Sequence, residues 1–136
     1  MKVFLDTNVL LDVIMKRADF VGASTDFLKH CVVKRYDCGF SSLTACNLMY
    51  VLRKYLSQLA ARDILYRLTN VFSMLDTTAE NVAAALAGNN IDFEDEVQLQ
   101  CAENWGADVI VTRDKDGFRN SSIKVMTPAE FLKDLS

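Results

Sequence analysis

The sequence predicts an α/β fold built on a parallel sheet covered by helices on both faces, and three observations lead there. Val3-Phe4-Leu5 and Val109-Ile110-Val111 are short runs without a polar residue, the pattern of central parallel strands buried on both sides. Strand candidates alternate along the chain with stretches of helical periodicity, which implies crossover connections. Only 5 Gly and 1 Pro occur in 136 residues, too few for a loop-rich all-β design. The length suits one domain over residues 1–136, and 51% hydrophobic residues are enough to build a core.

In order along the chain, Asp6 closes the first run and Asn8 is placed to cap a helix carrying Val9, Leu10, Val13 and Ile14. A helix over residues 20–34 presents Val21, Ser24, Phe27, Leu28, Cys31 and Val32 on one face. Residues 36–40 read as the second strand. Leu43 to about Gln58 follows as one long helix, with Thr44 as its cap and Leu48, Met49, Val51, Leu52 and Tyr55 apolar. Residues 60–72 form an amphipathic helix through Ile64, Leu65, Leu68 and Val71, able to pair with its predecessor as a hairpin. Ser73-Met74-Leu75-Asp76 reads as a short edge strand. Thr78 caps a helix that turns Val82, Ala83, Leu86 and Ala87 inward and stops at Gly88. Asp92 starts the next helix, whose apolar positions are Phe93, Val97, Leu99, Cys101 and Ala102 and which ends near Gly106. After the strand at residues 108–111, Ile123-Lys124-Val125 is the last strand. Thr127-Pro128 then opens a terminal helix carrying Phe131, Leu132 and Leu135.

Several function classes fall away. No apolar run approaches bilayer length and the N-terminus lacks a signal-peptide layout, so a cytoplasmic location is expected. Cys31, Cys38, Cys46 and Cys101 have no zinc-type spacing, and His30 is the sole histidine. The net charge of −3 says little, but its distribution says more. Residues 16–67 hold nine basic and four acidic side chains, while residues 92–116 hold eight acids against Arg113 and Lys115. An acid cluster beside a basic region suits metal-assisted work on a polyanion.

Asp6 and Asp114 each end a buried strand. If those strands are neighbours, both carboxylates hang over one sheet edge, where open α/β sheets place their ligands. Asp92 and Asp95, three apart at a helix start, share a face, and Asp92 has the alternative role of N-cap. Gathered carboxylates repel one another unless a cation lies among them, and hard oxygen donors suit Mg²⁺ or Mn²⁺. Such an ion activates water and offsets charge on a reacting phosphate. Thr112 and Asn8 supply a hydroxyl and an amide to orient ligands or water.

Taken together, Leu5-Asp6-Thr7-Asn8-Val9, Asp92-Phe93-Glu94-Asp95 and Val111-Thr112-Arg113-Asp114-Lys115-Asp116-Gly117-Phe118 resemble the PIN-domain ribonucleases. The likeness is greatest to the VapC-type toxins of bacterial toxin–antitoxin pairs, and it covers essentially the whole chain. The resemblance implies a three-layer α/β/α sandwich with a short, mostly parallel sheet of four to five strands. It also implies Mg²⁺- or Mn²⁺-dependent hydrolysis of RNA phosphodiesters, a cognate antitoxin protein as partner, and a homodimer. By position, Asp6, Asp95 and Asp114 match the family's catalytic, metal-binding acids, Asp116 its accessory acid, and Asp92 stands just before the matched helix acid.

One residue departs from the pattern. The family's usual Glu early in the helix after the second strand falls on Asn47, which offers a carbonyl oxygen but no charge. Two readings follow: a weakened metal site that still cuts, or a PIN-fold protein that binds RNA or a partner without cutting. A phosphatase of the haloacid dehalogenase type would need an acid where Asn8 stands, and a receiver domain would need an acid adjacent to Asp6; neither is present. Arg53, Lys54 and Arg113 are the candidate RNA phosphate contacts. The apolar surplus over residues 48–68 suits core packing or a dimer or antitoxin interface.

Overall fold

The computed structural model describes residues 1–90 and 92–134. β1 (Lys2–Leu5) lies at the centre of a five-stranded sheet, between β2 (Asp37–Ser41) and β4 (Val109–Val111). β3 (Ser73–Leu75) and β5 (Lys124–Met126) form the edges, and every pairing is parallel. Because side chains alternate across a strand, the apolar runs split cleanly between two cores. Val3, Leu5, Val109 and Val111 enter one cluster, and Phe4 and Ile110 enter the other.

The first cluster is covered by α1 (Thr7–Ile14), α2 (Val21–Val33), α3 (Ser42–Leu52), α4 (Gln58–Val71) and α7 (Pro128–Asp134). Phe27 of α2 meets Phe131 of α7 edge-on at 5.0 Å, an arrangement worth about 0.5–1.5 kcal/mol beyond burial. The second cluster is covered by α5 (Ala79–Ala87), α6 (Phe93–Trp105) and Phe118 of a 3₁₀ turn, Lys115–Phe118. This is the three-layer, parallel arrangement that the sequence implies, with strand bounds shifted by one residue at β2 and β5.

Caps decide most of the differences. Asp6, not Asn8, caps α1, its side chain accepting the Thr7 N–H, which leaves the Asn8 side chain available for other partners. Ser41, not Thr44, caps α3, and Thr44 is buried in the first turn. The expected long helix breaks at Leu52; a turn follows, and Ser57 caps α4. In α5 the buried residues are Asn81 and Ala85, while Leu86 is 70% exposed, because a Thr78–Asn81 capping box turns Asn81 toward Cys101. Phe93, Val71, Tyr55 and Val32 are likewise exposed rather than core. Leu48 and Leu52 do serve the core, and Met49, Val51, Ile64, Leu65 and Leu68 are half-buried. Leu135, expected on α7, lies outside the described residues. Among the described residues no helix is long and apolar enough to cross a membrane.

Candidate active site

Since β1 and β4 are neighbours at the point where strand order reverses, Asp6 and the Thr112-Arg113-Asp114 segment leave the sheet side by side. The Asp6 N–H donates to the Val111 carbonyl at 3.0 Å, carrying the ladder up to the site. Asp6 is 5% exposed, and both carboxylate oxygens are held: Oδ1 by the Thr7 N–H at 2.8 Å and Oδ2 by the Thr112 hydroxyl at 2.8 Å. Thr112 Oγ1 also receives the Asp114 N–H at 3.1 Å, which ties the Asp114 loop to Asp6 through one hydroxyl. Asn8 fastens the same loop, Oδ1 accepting the Arg113 N–H at 3.1 Å and Nδ2 reaching Thr112 at 3.4 Å.

A cleft of about 380 Å³ opens above Asp6, lined by Thr7, Asn8, Leu11, Asn47, Tyr50, Val51, Glu94, Asp95 and Gln98. The structure thus brings Asp6, Asn8, Asn47 and Asp95 together. Burial is the main reason the Asp6 carboxyl stands above its usual range; its hydrogen bonds to Thr112 and Thr7 oppose this, and Asp114 and Asp92 reinforce it. Asp95 is pushed up to about 7, first by burial and then by Asp6, Asp92, Asp114 and Glu94. Asp114 belongs to the same field, although it is exposed, caps the 3₁₀ turn through the Asp116 N–H at 3.2 Å and does not line the cleft.

Other expected site residues sit differently. Asp92 is the N-cap of α6, accepting the Asp95 N–H at 3.1 Å, and so takes the capping alternative. Asp116 faces a separate polar recess with Asn89, Asn90, Arg119 and Asn120 instead of the cleft, because the 3₁₀ turn carries it past Asp114. Arg53 and Lys54 are exposed at the end of α3, with the Lys54 ammonium 4.7 Å from the Tyr50 ring centre. Arg113 is not left free for phosphate. Its Nε donates at 3.0 Å to fully buried Asp12, and its guanidinium lies 4.1 Å from the Phe20 ring centre. Arg17 takes the other Asp12 oxygen at 3.4 Å. A buried carboxylate requires such partners.

Sequence reasoning passes over several contributors. Glu94 lines the cleft one residue before Asp95. Gln98 is 2% exposed on α6, and beneath the cleft it joins Ser41, Thr44 and Thr7 in a hydrogen-bonded group. Gly117 backs the Asp95 carboxylate: a methyl carbon built there would lie 2.6 Å from Asp95 Cγ. Asn90 latches this turn to α6, Nδ2 donating to the Gly117 carbonyl at 3.1 Å and to Glu96 at 3.2 Å. A Gly directly after Asp114-Lys115-Asp116 is the available signal for close approach, and nothing local distinguishes Gln98 from a surface glutamine.

A parallel α/β sheet with acids at the carboxyl ends of its two central strands and a third acid on a covering helix is the architecture of a PIN domain. Residues 2–116 match that family, and the chain belongs to it. Among individual proteins, it is 28% identical over 135 residues to Ribonuclease VapC1 of Aquifex aeolicus (strain VF5), a match covering 96% of this chain and 92% of that protein. Its fold is similar to that of a chain in the DNA-bound VapBC structure from Salmonella typhimurium (TM-score 0.72, 20% identity, 94% of this chain and 98% of that one). It is likewise similar to a chain of Rickettsia felis VapBC2 bound to a promoter DNA fragment (TM-score 0.70, 19% identity, 93% and 97%). A third similar structure is Mycobacterium tuberculosis VapC20, a toxin cleaving the sarcin-ricin loop (TM-score 0.67, 15% identity, 87% and 94%).

Proposed function

We propose that this chain is a divalent-metal-dependent ribonuclease that hydrolyses RNA phosphodiester bonds, and the toxin of a toxin–antitoxin pair. The observation that carries this reading is the shared field of Asp6, Asp95 and Asp114, in which burial and mutual repulsion raise two of the three carboxyls. Similarity to Ribonuclease VapC1 supports the substrate class, and the likeness to chains of VapBC complexes supports an antitoxin partner.

The donor set fits Mg²⁺ or Mn²⁺: every candidate ligand is a hard oxygen, from Asp6, Asp95 and Asp114, with the Asn47 amide oxygen at the cleft wall. Among the described residues no three acids converge as a ready ligand shell. When bound, such an ion lowers the pKa of a coordinated water and offsets charge on the phosphoryl oxygens. The chain's own residues hold the geometry. Thr112 and the Thr7 N–H fix the orientation of Asp6, and Asn8 and Thr112 hold the backbone that presents Asp114. Arg53 and Lys54 are exposed, Lys54 against the ring of the cleft-lining Tyr50, and in this reading they attract the RNA backbone.

Incubating RNA with the purified protein and Mn²⁺ tests the reading. Cleavage is expected that stops on chelation and is lost in Asp6→Asn. Cleavage surviving in Asp6→Asn would overturn the site assignment. RNA bound but left intact by the wild type would favour the non-cleaving alternative, for which Asn47 in place of an acid is the motivating residue.

A further inference from the structure

The carboxylates of Asp6, Glu94 and Asp95 line the cleft, and at its floor Thr7 and Gln98 join Ser41 and Thr44 in a group of four polar side chains. Ser41 and Thr44 are fully buried, Gln98 is 2% exposed, and Thr7 forms part of the cleft wall. Their distances orient the protons. Ser41 Oγ lies 2.6 Å from Gln98 Oε1, an O–H···O length shorter than amide donors make, so the Gln98 oxygen faces Ser41. Gln98 Nε2 then donates to Thr44 Oγ1 at 2.8 Å and to Thr7 Oγ1 at 3.3 Å. Thr44 is buried and must place its own proton. Its near acceptor is Thr7 Oγ1 at 2.8 Å, because Ser41 Oγ is farther, at 3.3 Å, and already accepts the Thr44 N–H.

Either hydroxyl could donate across the 2.8 Å Thr7–Thr44 contact; with Thr44 as the donor, Thr7 Oγ1 receives two hydrogen bonds from below and its own O–H is left to point into the cleft. The neighbouring Asp6 carboxylate accepts from the Thr7 N–H and the Thr112 hydroxyl, and Thr7 Oγ1 is not one of its donors. We propose that Thr7 is a substrate-contacting residue whose hydroxyl donates to a non-bridging oxygen of the scissile RNA phosphate, with the Ser41–Gln98–Thr44 group setting the direction of that donor. The proposal rests on the ribonuclease reading and adds a donor to a site otherwise described by its acids.

The test compares an RNA oligonucleotide carrying an ordinary phosphate at the cleaved position with its two phosphorothioate diastereomers. The enzymes are wild type, Thr7→Ser and the near-isosteric Thr7→Val. A hydrogen bond to a charged oxygen contributes about ten- to hundredfold in rate, and sulfur accepts poorly. Wild type and Thr7→Ser should cleave one diastereomer roughly tenfold more slowly than the phosphate. In Thr7→Val that discrimination should shrink to within about threefold while phosphate cleavage slows; the melting temperature should fall as well, because the buried Thr44 and Gln98 donors lose an acceptor, so the rates are compared well below it. Thr7→Val that is slow with its thio discrimination intact, or as fast as wild type, would overturn the proposal. Wild type that leaves all three RNAs uncut would overturn the ribonuclease reading and this inference with it.

Discussion

Gly117→Ala separates the role of Asp95 from the stability of the fold. A methyl carbon at 117 would lie 2.6 Å from Asp95 Cγ, whereas ordinary contact begins at 3.4 Å, so the carboxyl carbon must retreat by about 0.8 Å and its oxygens further. Metal–ligand distances tolerate only about 0.2 Å. The backbone is not strained by the change, since Gly117 is not among the glycines with positive φ. Asp95 is half-buried and can rotate away, at a cost of about 0.5–1.5 kcal/mol for an off-rotamer side chain. The expectation is therefore a nearly unchanged melting temperature together with Mn²⁺ affinity reduced about 10- to 100-fold, the usual effect of disturbing a ligand's support. Calorimetric Mn²⁺ titration beside thermal unfolding measures both. A folded Gly117→Ala that binds Mn²⁺ as the wild type does would refute the placement of Asp95 in the metal site.

Three further outcomes follow from the same geometry. Asp95 stands at about 7 in the fold against an ordinary 3.8, chiefly through burial, so the metal-free protein holds this proton more tightly when folded. That contribution is full below about 3.8 and is lost progressively as pH rises from there through about 7; Asp95→Asn should match wild-type thermal stability only as pH falls to about 3.8, exceed it increasingly above that, and keep a constant margin beyond about 7, without metal. Asn47→Glu, which adds a fourth carboxylate to the cleft, should tighten Mn²⁺ binding severalfold by calorimetry, and unchanged affinity would place residue 47 outside the ion's reach. Reversing charge at Arg53 and Lys54 should weaken RNA binding and lower its logarithmic salt slope by about one per lost phosphate contact, whereas an unaltered slope would route the RNA elsewhere.

What the sequence disclosed and what it hid divide along a physical line. β1 and β4 are legible because their runs are apolar on both faces, and Asp6 and Asp114 because an acid within three residues of the end of such a run stays near the carboxyl edge of the sheet. Caps were harder. Asp6 and Asn8, or Ser41 and Thr44, are all good capping residues within three positions, and the choice between them depends on where the strand releases the chain. The inward face of α5 was misread because the Asn81 capping box rotates a polar residue into the core. Asp12, Gln98 and Gly117 were hidden for another reason. Each acts through partners distant in sequence, Arg113 for Asp12, Ser41 and Thr44 for Gln98, and Asp95 for Gly117. Arg113 reads in the sequence as a phosphate contact because its buried partner, Asp12, looks there like any polar helix residue.

In the proposed site Asp6, Asp95 and Asp114 serve one divalent ion, although Asp114 caps a neighbouring turn and does not line the cleft. Paramagnetic line broadening in the amide spectrum, with Mn²⁺ added at well below one equivalent, tests it directly. The amides of Thr7, Asp95 and Asp114 should broaden together and most strongly, while those of residues 34–36, at the opposite, amino ends of the strands, stay sharper. Asp114 remaining sharp as Thr7 and Asp95 disappear would contradict a shared site, and broadening centred on the Asn89–Asp116 recess would move the ion out of the cleft altogether.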